Sequence, residues 1–378
     1  MQKHFTFYNL SLVVLLVVLS AFSVHDAGEP TAKGAKALDS LDLKIGQMIM
    51  IGLNDLTSIR QNDTLIDEIK NNKVGGVIFF EKNIDKNDPK NSMIKLIRDL
   101  QSASAIPLFV TIDEEGGMVH RLKEKYGFVG MPSATYLGKL DNSDSTLFYN
   151  RRLAAELHEL GFNLNYAPTL DLALNPENKV IVKRERSFSA QPEIVSKHAA
   201  LCIQAHHENG MKTILKHFPG HGSSTADSHA GIVDVSDTWD FQELLPYYTL
   251  FKLGTVDAVM TAHIINYRWD PTYLPATLSE RAVNGMLRGL LGFKGVVFSD
   301  DMQMHAINKN YGFERSLELA INAGVDVLVF GNNVTTKDHI RAGEIHRVIK
   351  ELVLKGKISQ DRINLAYSRI MTLKNKRN

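Results

Sequence analysis

Cysteine is almost missing. Cys202 is the only one among 378 residues, which excludes an internal disulfide framework and leaves no second thiol to complete a metal site. It sits in "HAALCIQAHH", where helical spacing makes it a small core residue. Charge of one sign is missing too. Lys and Arg together number 43 against 42 Asp and Glu, a net of +1. That balance gives no footprint for nucleic acid or an anionic membrane, and a neutral small substrate fits it better. Tryptophan is limited to Trp239 and Trp269. No GxGxxG or GxxxxGKS/T turn follows the first strand-like run, and no Pro/Ser-rich linker, repeat or low-complexity tract interrupts the chain from Leu38 onward.

Long apolar runs are limited to one. "LSLVVLLVVLSAF" follows Lys3 and His4 and ends at Ala21-Phe22-Ser23. It is short for a spanning helix and matches a signal segment over 1–23 with a small-x-small cleavage site. A retained anchor is the alternative. No cysteine directly follows the run, so a lipid-anchored mature end is not expected. Residues 24–37 read as a disordered leader. The expectation is an exported protein, periplasmic or secreted, with no membrane contact after cleavage.

What is present is alternation. Short apolar runs fall at 47–52, 75–80, 107–112, 162–167, 212–217, 257–262, 295–299 and 325–330. Most are continuously apolar, as strands buried on both faces should be. Helical patterns lie between them, at 91–101, 147–160, 193–208, 241–253, 280–291 and 314–324. A last one at 360–373 carries apolar residues at i, i+3 and i+4. Eight strands alternating with helical patterns predict an α/β fold, a single (β/α)8 TIM-type barrel over 38–378.

Catalytic groups in such a barrel lie at the carboxyl ends of strands. Asp113, Lys216 with His217, His263 and Asp300 each stand there. The densest stretch is "KHFPGHGSSTADSHAG", 216–231. His217 and His221 have the i, i+4 spacing of a metal pair, but Pro219, Gly220 and Gly222 forbid the helix that would make it one. No clustered carboxylate completes a site, so neither metal nor cofactor is expected. A phosphate loop fails because the glycines do not open a helix. Acid/base chemistry remains. Asp227 and His229 flank Ser228, and a carboxylate beside an imidazole fixes its tautomer and stabilises its charged form. Gly220, Gly222 and Gly231 would let the segment swing, with His221 as a hydrogen-bond partner that orients it.

"KHFPGHGSSTADSH" resembles the signature of family 3 glycoside hydrolases of the β-N-acetylhexosaminidase (NagZ-like) type. "IDEEGGMVHRL" (112–122), "NLNYAPTLDLALNPEN" (163–178), "RSFS" (186–189), "PATLSERAV" (275–283) and "LGFKGVVFSDDMQM" (291–304) add to the resemblance, in the family's order. The resemblance implies an exo-acting, retaining double displacement that releases terminal β-N-acetylglucosamine. It makes Asp300 the nucleophile, His229 the acid/base and Asp227 its partner. Asp113 corresponds to the residue gripping sugar hydroxyls, and Arg121, Arg186, Lys216 and His217 to substrate contacts. Met118 departs from the Arg that often follows "EGG", which predicts an altered contact beyond the core sugar site. The implied partner is an oligosaccharide ending in β-N-acetylglucosamine, a muropeptide or a chitooligosaccharide.

Four alternatives stay open. A histidine acid/base repels anionic acceptors less than a carboxylate would, so phosphorolysis could replace hydrolysis. A β-glucosidase or β-xylosidase of the same family normally takes its acid/base carboxylate from a second domain. Asp113-Glu114 could serve a mechanism using the substrate's own acetamido oxygen, although the two tryptophans stand at no strand end. A non-enzymatic sugar-binding protein would leave Asp300, Asp227 and His229 unexplained.

Overall fold

The computed structural model describes residues 40–225 and 231–376. The expected signal and leader segments fall outside these residues, and so do Asp227 and His229. Eight parallel strands close a barrel: β1 (Ile49–Gly52), β2 (Gly76–Phe79), β3 (Phe109–Ile112), β4 (Leu164–Asn165), β5 (Lys212–Phe218), β6 (Ala258–Thr261), β7 (Val296–Asp301) and β8 (Val327–Phe330). Each pairs with its chain neighbours, and Leu328 of β8 opposite Ile49 of β1 closes the ring. All eight expected strands are found in order, and the (β/α)8 expectation holds.

The differences are at the ends of elements. Gln47 closes a helix, Leu41–Gln47, that the apolar pattern alone did not separate from β1; Ser40 caps it by accepting the Leu43 amide at 3.3 Å. β4 is shorter than its apolar run. Its flanks still bond β3, Asn163 N to Val110 O at 3.1 Å and Tyr166 N to Ile112 O at 3.0 Å. Pro168 then has no N–H to continue the ladder. The helical pattern at 241–253 divides into a tight turn, Phe241–Leu244, and a helix, Leu245–Leu253, because Pro246 is tolerated only in a first turn. The helix Ala342–Leu354, not foreseen above, covers β1, and the last helix is Gln360–Asn375.

The barrel centre is filled by side chains from several strands. Phe109 and Phe298 meet at a tilt with 5.9 Å between ring centres and Tyr166 meets Phe298 edge-on at 6.3 Å, all of them buried. Each such ring contributes about 1.5–3 kcal/mol of apolar burial, so the interior is a packed floor and not a pore. At the amino ends of the strands, Lys374 from the last helix donates to Gln47 Oε1 (2.7 Å) and Gly75 O (2.8 Å). Ladder register breaks twice, between Leu215 and Phe218 on β5 and between Val327 and Val329 on β8. The first break re-aims Lys216 and His217, a common use of irregular pairing beside a site.

Candidate active site

A cavity of about 280 Å3 opens at the carboxyl ends of the strands, and Asp113, Arg121, Arg186, Lys216, His217 and Asp300 all line it. These are the six expected site residues that fall among the described ones. Tyr166, His221 and Asp301 line it as well.

One wall is an ion network whose centre, Glu115, carried no role in the sequence reading. Arg186 grips Glu115 with two parallel bonds, Nε to Oε2 at 2.8 Å and Nη2 to Oε1 at 2.7 Å. Lys216 Nζ lies 2.6 Å from Glu115 Oε1 and 2.6 Å from Asp113 Oδ1, and its side chain is 1% exposed. Burial alone would raise the Glu115 carboxyl, but Arg186 and Lys216 outweigh it and hold it well below the usual range. The Arg186 guanidinium is raised in turn, because Glu115 overcomes the cost of burial. Arg121 approaches the other oxygen of Asp113 at 3.7 Å. Asp113 is therefore oriented by two cations while remaining partly open to the cavity.

Behind this wall Asp171, also unforeseen, organises the two histidines. Its Oδ2 lies 2.6 Å from His217 Nδ1, and its Oδ1 accepts the His221 amide at 2.7 Å. Arg186 Nη2 donates to His217 Nε2 at 3.2 Å, so that nitrogen carries the lone pair and Nδ1 carries the proton. Burial raises the Asp171 carboxyl, yet His217 and His221 together outweigh burial and the net displacement is downward. Burial pushes His221 down to about 4, leaving it neutral and bonded through Nδ1 to Ser224 Oγ at 2.7 Å. Replacing Asp171 with alanine strands these buried donors. The expected cost is about 2–3 kcal/mol, read as a lower urea midpoint with an unchanged slope.

The glycines of this stretch have a different use from the one expected. Gly220 and Gly222 do not serve a swinging segment. A Cβ on Gly222 would sit 1.7 Å from Leu172 O, and one on Gly220, whose φ is +115°, 2.5 Å from Glu243 Cβ. Both are required by close packing. Asn178 Nδ2 donates to His221 O (2.8 Å), Gly222 O (3.1 Å) and Ser224 Oγ (3.1 Å), fixing the turn further. Of the three glycines only Gly231 has nothing within 4 Å of a built Cβ.

On β7, Asp300 Oδ1 accepts the Asp301 amide at 2.8 Å. Asp301 Oδ1 accepts the amides of Gln303 (3.0 Å) and Gly331 (3.2 Å), so it supports the turn after the strand. His263 is buried between Thr277 Oγ1 (2.8 Å) and Asp301 O (3.0 Å) and acts as a brace for that turn. Glu114 is fully buried, accepting the Arg121 and Leu122 amides at 2.6 and 2.7 Å and pairing with His120. Its oxygens hold the turn that presents Arg121, which removes the Asp113-Glu114 pair as reacting groups. Trp239 and Trp269 pack edge-to-face at 4.9 Å along a separate groove. Met118 is 60% exposed and does not line the cavity, so the contact expected to change beyond the core sugar site lies outside these walls.

Among the described residues, no cluster of three or more His, Cys, Asp or Glu side chains could hold a metal, and no helix is long and apolar enough to cross a membrane. Residues 40–373 match the glycosyl hydrolase family 3 N terminal domain. A beta-hexosaminidase A from Pseudoalteromonas piscicida is 32% identical over 327 residues, which is 80% of this chain and 53% of that protein. A beta-hexosaminidase from Tolumonas auensis is 37% identical over 265 residues, 69% of this chain and 76% of that one. The chain thus spans about half the length of the first relative and three quarters of the second. Among solved structures, a glycoside hydrolase family 3 beta-N-acetylglucosaminidase from a Paenibacillus species superposes with a TM-score of 0.81 at 33% identity, covering 89% of this chain and 62% of its own. A beta-N-acetylhexosaminidase from Beutenbergia cavernae gives 0.79 at 27%, covering 89% and 99%.

Proposed function

Because the chain belongs to glycosyl hydrolase family 3, we propose that it is a β-N-acetylhexosaminidase releasing terminal β-linked N-acetylglucosamine by double displacement. The observation that carries this is one cavity lined both by the β7-end carboxylate, Asp300, and by Asp113, Lys216 and Arg186, which Glu115 ties together. Asp300 attacks C1 from below the ring as the leaving oxygen departs, forming a glycosyl-enzyme that water then resolves. Asp113, with Arg121 and Lys216 setting its orientation, accepts hydrogen bonds from hydroxyls of the terminal sugar. Arg186 and His217 complete that wall. His229, paired with Asp227, protonates the leaving oxygen and later deprotonates the attacking water. Those last two roles rest on the resemblance of "ADSH" and its surroundings, since both residues lie outside the described ones. Muropeptide fragments and chitooligosaccharides both present the required terminal sugar.

The test is a panel of 4-nitrophenyl β-glycosides differing only at C2, acetamido against hydroxyl, with and without inorganic phosphate. The acetamido substrate is expected to turn over on the order of 10²-fold faster in kcat/KM, a discrimination suited to a site built for hydrogen bonds to that group. Equal rates would make the protein a β-glucosidase or β-xylosidase. Glucosamine derivatives released as 1-phosphate would make it a phosphorylase. Binding without turnover would make it a sugar-binding protein.

A further inference from the structure

Among the described residues, Glu243 is the buried acid near the site that no cation explains. It lies in the turn Phe241–Leu244, is 0% exposed, and has no Lys, Arg or His partner among the described residues. An unpaired buried carboxyl is costly to keep. Burial lifts it to about 8, so it is largely neutral at pH 7, with Asp171 adding to the rise. All of its bonds go to one place. Oε2 accepts the Gly222 amide at 2.8 Å; Oε1 accepts the Ser223 amide at 3.3 Å and lies 2.5 Å from Ser223 Oγ. Gly220 packs on its Cβ so closely that no side chain fits between them. On the far side of 226–230, Val233 and Asp234 pair in parallel with Ile264 and Ile265. Glu243 therefore holds the chain on one side of that stretch and the small ribbon holds it on the other.

We propose that Glu243 is a positioning residue for the reaction, clamping Gly222–Ser223 so that His229, six residues beyond Ser223, is delivered from a fixed point. This rests on the acid/base assignment of His229 made above. A positioning role is separable from a structural one because it acts on protonation of the leaving group and leaves sugar binding alone. Good leaving groups need little protonation, whereas sugar leaving groups need it fully.

The experiment compares a 2,4-dinitrophenyl β-N-acetylglucosaminide with N,N'-diacetylchitobiose. It uses the full chain and the variants Glu243→Ala, Glu243→Gln, Ser223→Ala and His229→Ala. Glu243→Ala is expected to lose on the order of 10²-fold in kcat on the disaccharide, the scale of a small misplacement, with less than about fivefold loss on the aryl substrate and KM unchanged. Ser223→Ala follows the same pattern at roughly tenfold, and Glu243→Gln stays within about threefold of the parent, since an amide keeps the shape, an acceptor for the Gly222 amide and a donor toward Ser223 Oγ, and gives up only the longer bond from the Ser223 amide. Equal losses on both substrates, a raised KM at constant kcat, or no loss at all would overturn the proposal. If Glu243→Ala does not fold, Ser223→Ala decides by the same criteria. If His229→Ala shows no preference between substrates, the assignment of His229 fails and Glu243 loses its role with it. If His229→Ala shows the preference and the Glu243 and Ser223 variants do not, Glu243 alone is refuted.

Discussion

Asp300→Ala is expected to lower kcat on a 4-nitrophenyl β-N-acetylglucosaminide by about 10⁴-fold or more, with the far-ultraviolet circular dichroism unchanged. The carboxylate stands at the end of β7 in the cavity wall and is only half-buried, so its removal opens space and takes away the acceptor of the Asp301 amide without exposing the packed core. The loss is chemical and should be reversible by chemistry. Azide fits the vacated volume and attacks C1 from the same face as the carboxylate, forming a C–N bond as the nitrophenolate leaves. A single displacement inverts the centre, so the product is the α-glycosyl azide. Asp301→Ala is the control. It loses acceptors for the Gln303 and Gly331 amides and should disturb the turn while retaining far more activity. Near-normal turnover by Asp300→Ala, or an azide product of β configuration, would remove Asp300 as the nucleophile.

The contrast between Asp300 and Glu115 shows what a sequence can make legible. Asp300 follows a continuously apolar run, and the barrel pattern then places it at the site without further information. The same logic located Asp113, Lys216 and His217, because strand ends can be found from hydropathy. Glu115, Asp171 and Glu243 could not be found that way. Each is an acid in a loop or turn, and each acts through a partner far away in the chain: Glu115 through Arg186, Asp171 through His217, Glu243 through Gly222. Their roles depend on burial, which an acidic residue in a polar stretch does not announce. Asp171 had the best signal, since it follows β4 after "NYAPTL", but Pro168 obscured where that strand ends. Gly220 and Gly222 were misjudged for a related reason. Composition shows that a glycine permits motion, and only packing shows that Gly222 lies against Leu172 O with no room for a methyl group.

Glu115→Ala is expected to cost about 3–5 kcal/mol, because it leaves two buried cations, Arg186 and Lys216, without their shared counter-charge. That is a large part of the roughly 5–15 kcal/mol available to a folded domain, so the variant should show a much lower urea midpoint or fail to accumulate. Glu115→Gln separates charge from shape. It keeps the side-chain shape and one acceptor for Arg186 while removing the negative charge and the second acceptor, so it remains measurable. The pH dependence then identifies the charge as the cause. The folded carboxyl is depressed below its ordinary 4.5 by Arg186 and Lys216 acting against burial. A depressed carboxyl contributes stability that is complete above the unfolded value and is lost as pH falls toward the folded one. The parent protein should therefore lose its advantage over Glu115→Gln below pH 4.5, by up to about 1.4 kcal/mol per unit. Above pH 6 the gap between the two should be constant. Neighbouring Asp171 also loses stability in acid, but it does so in both proteins and cancels from the difference. A gap that stayed the same from pH 7 to pH 3 would mean that Glu115 ionises no more readily in the folded chain than in the unfolded one. The orientation of Arg186 and Lys216 would then depend on Asp113 and Asp171 instead.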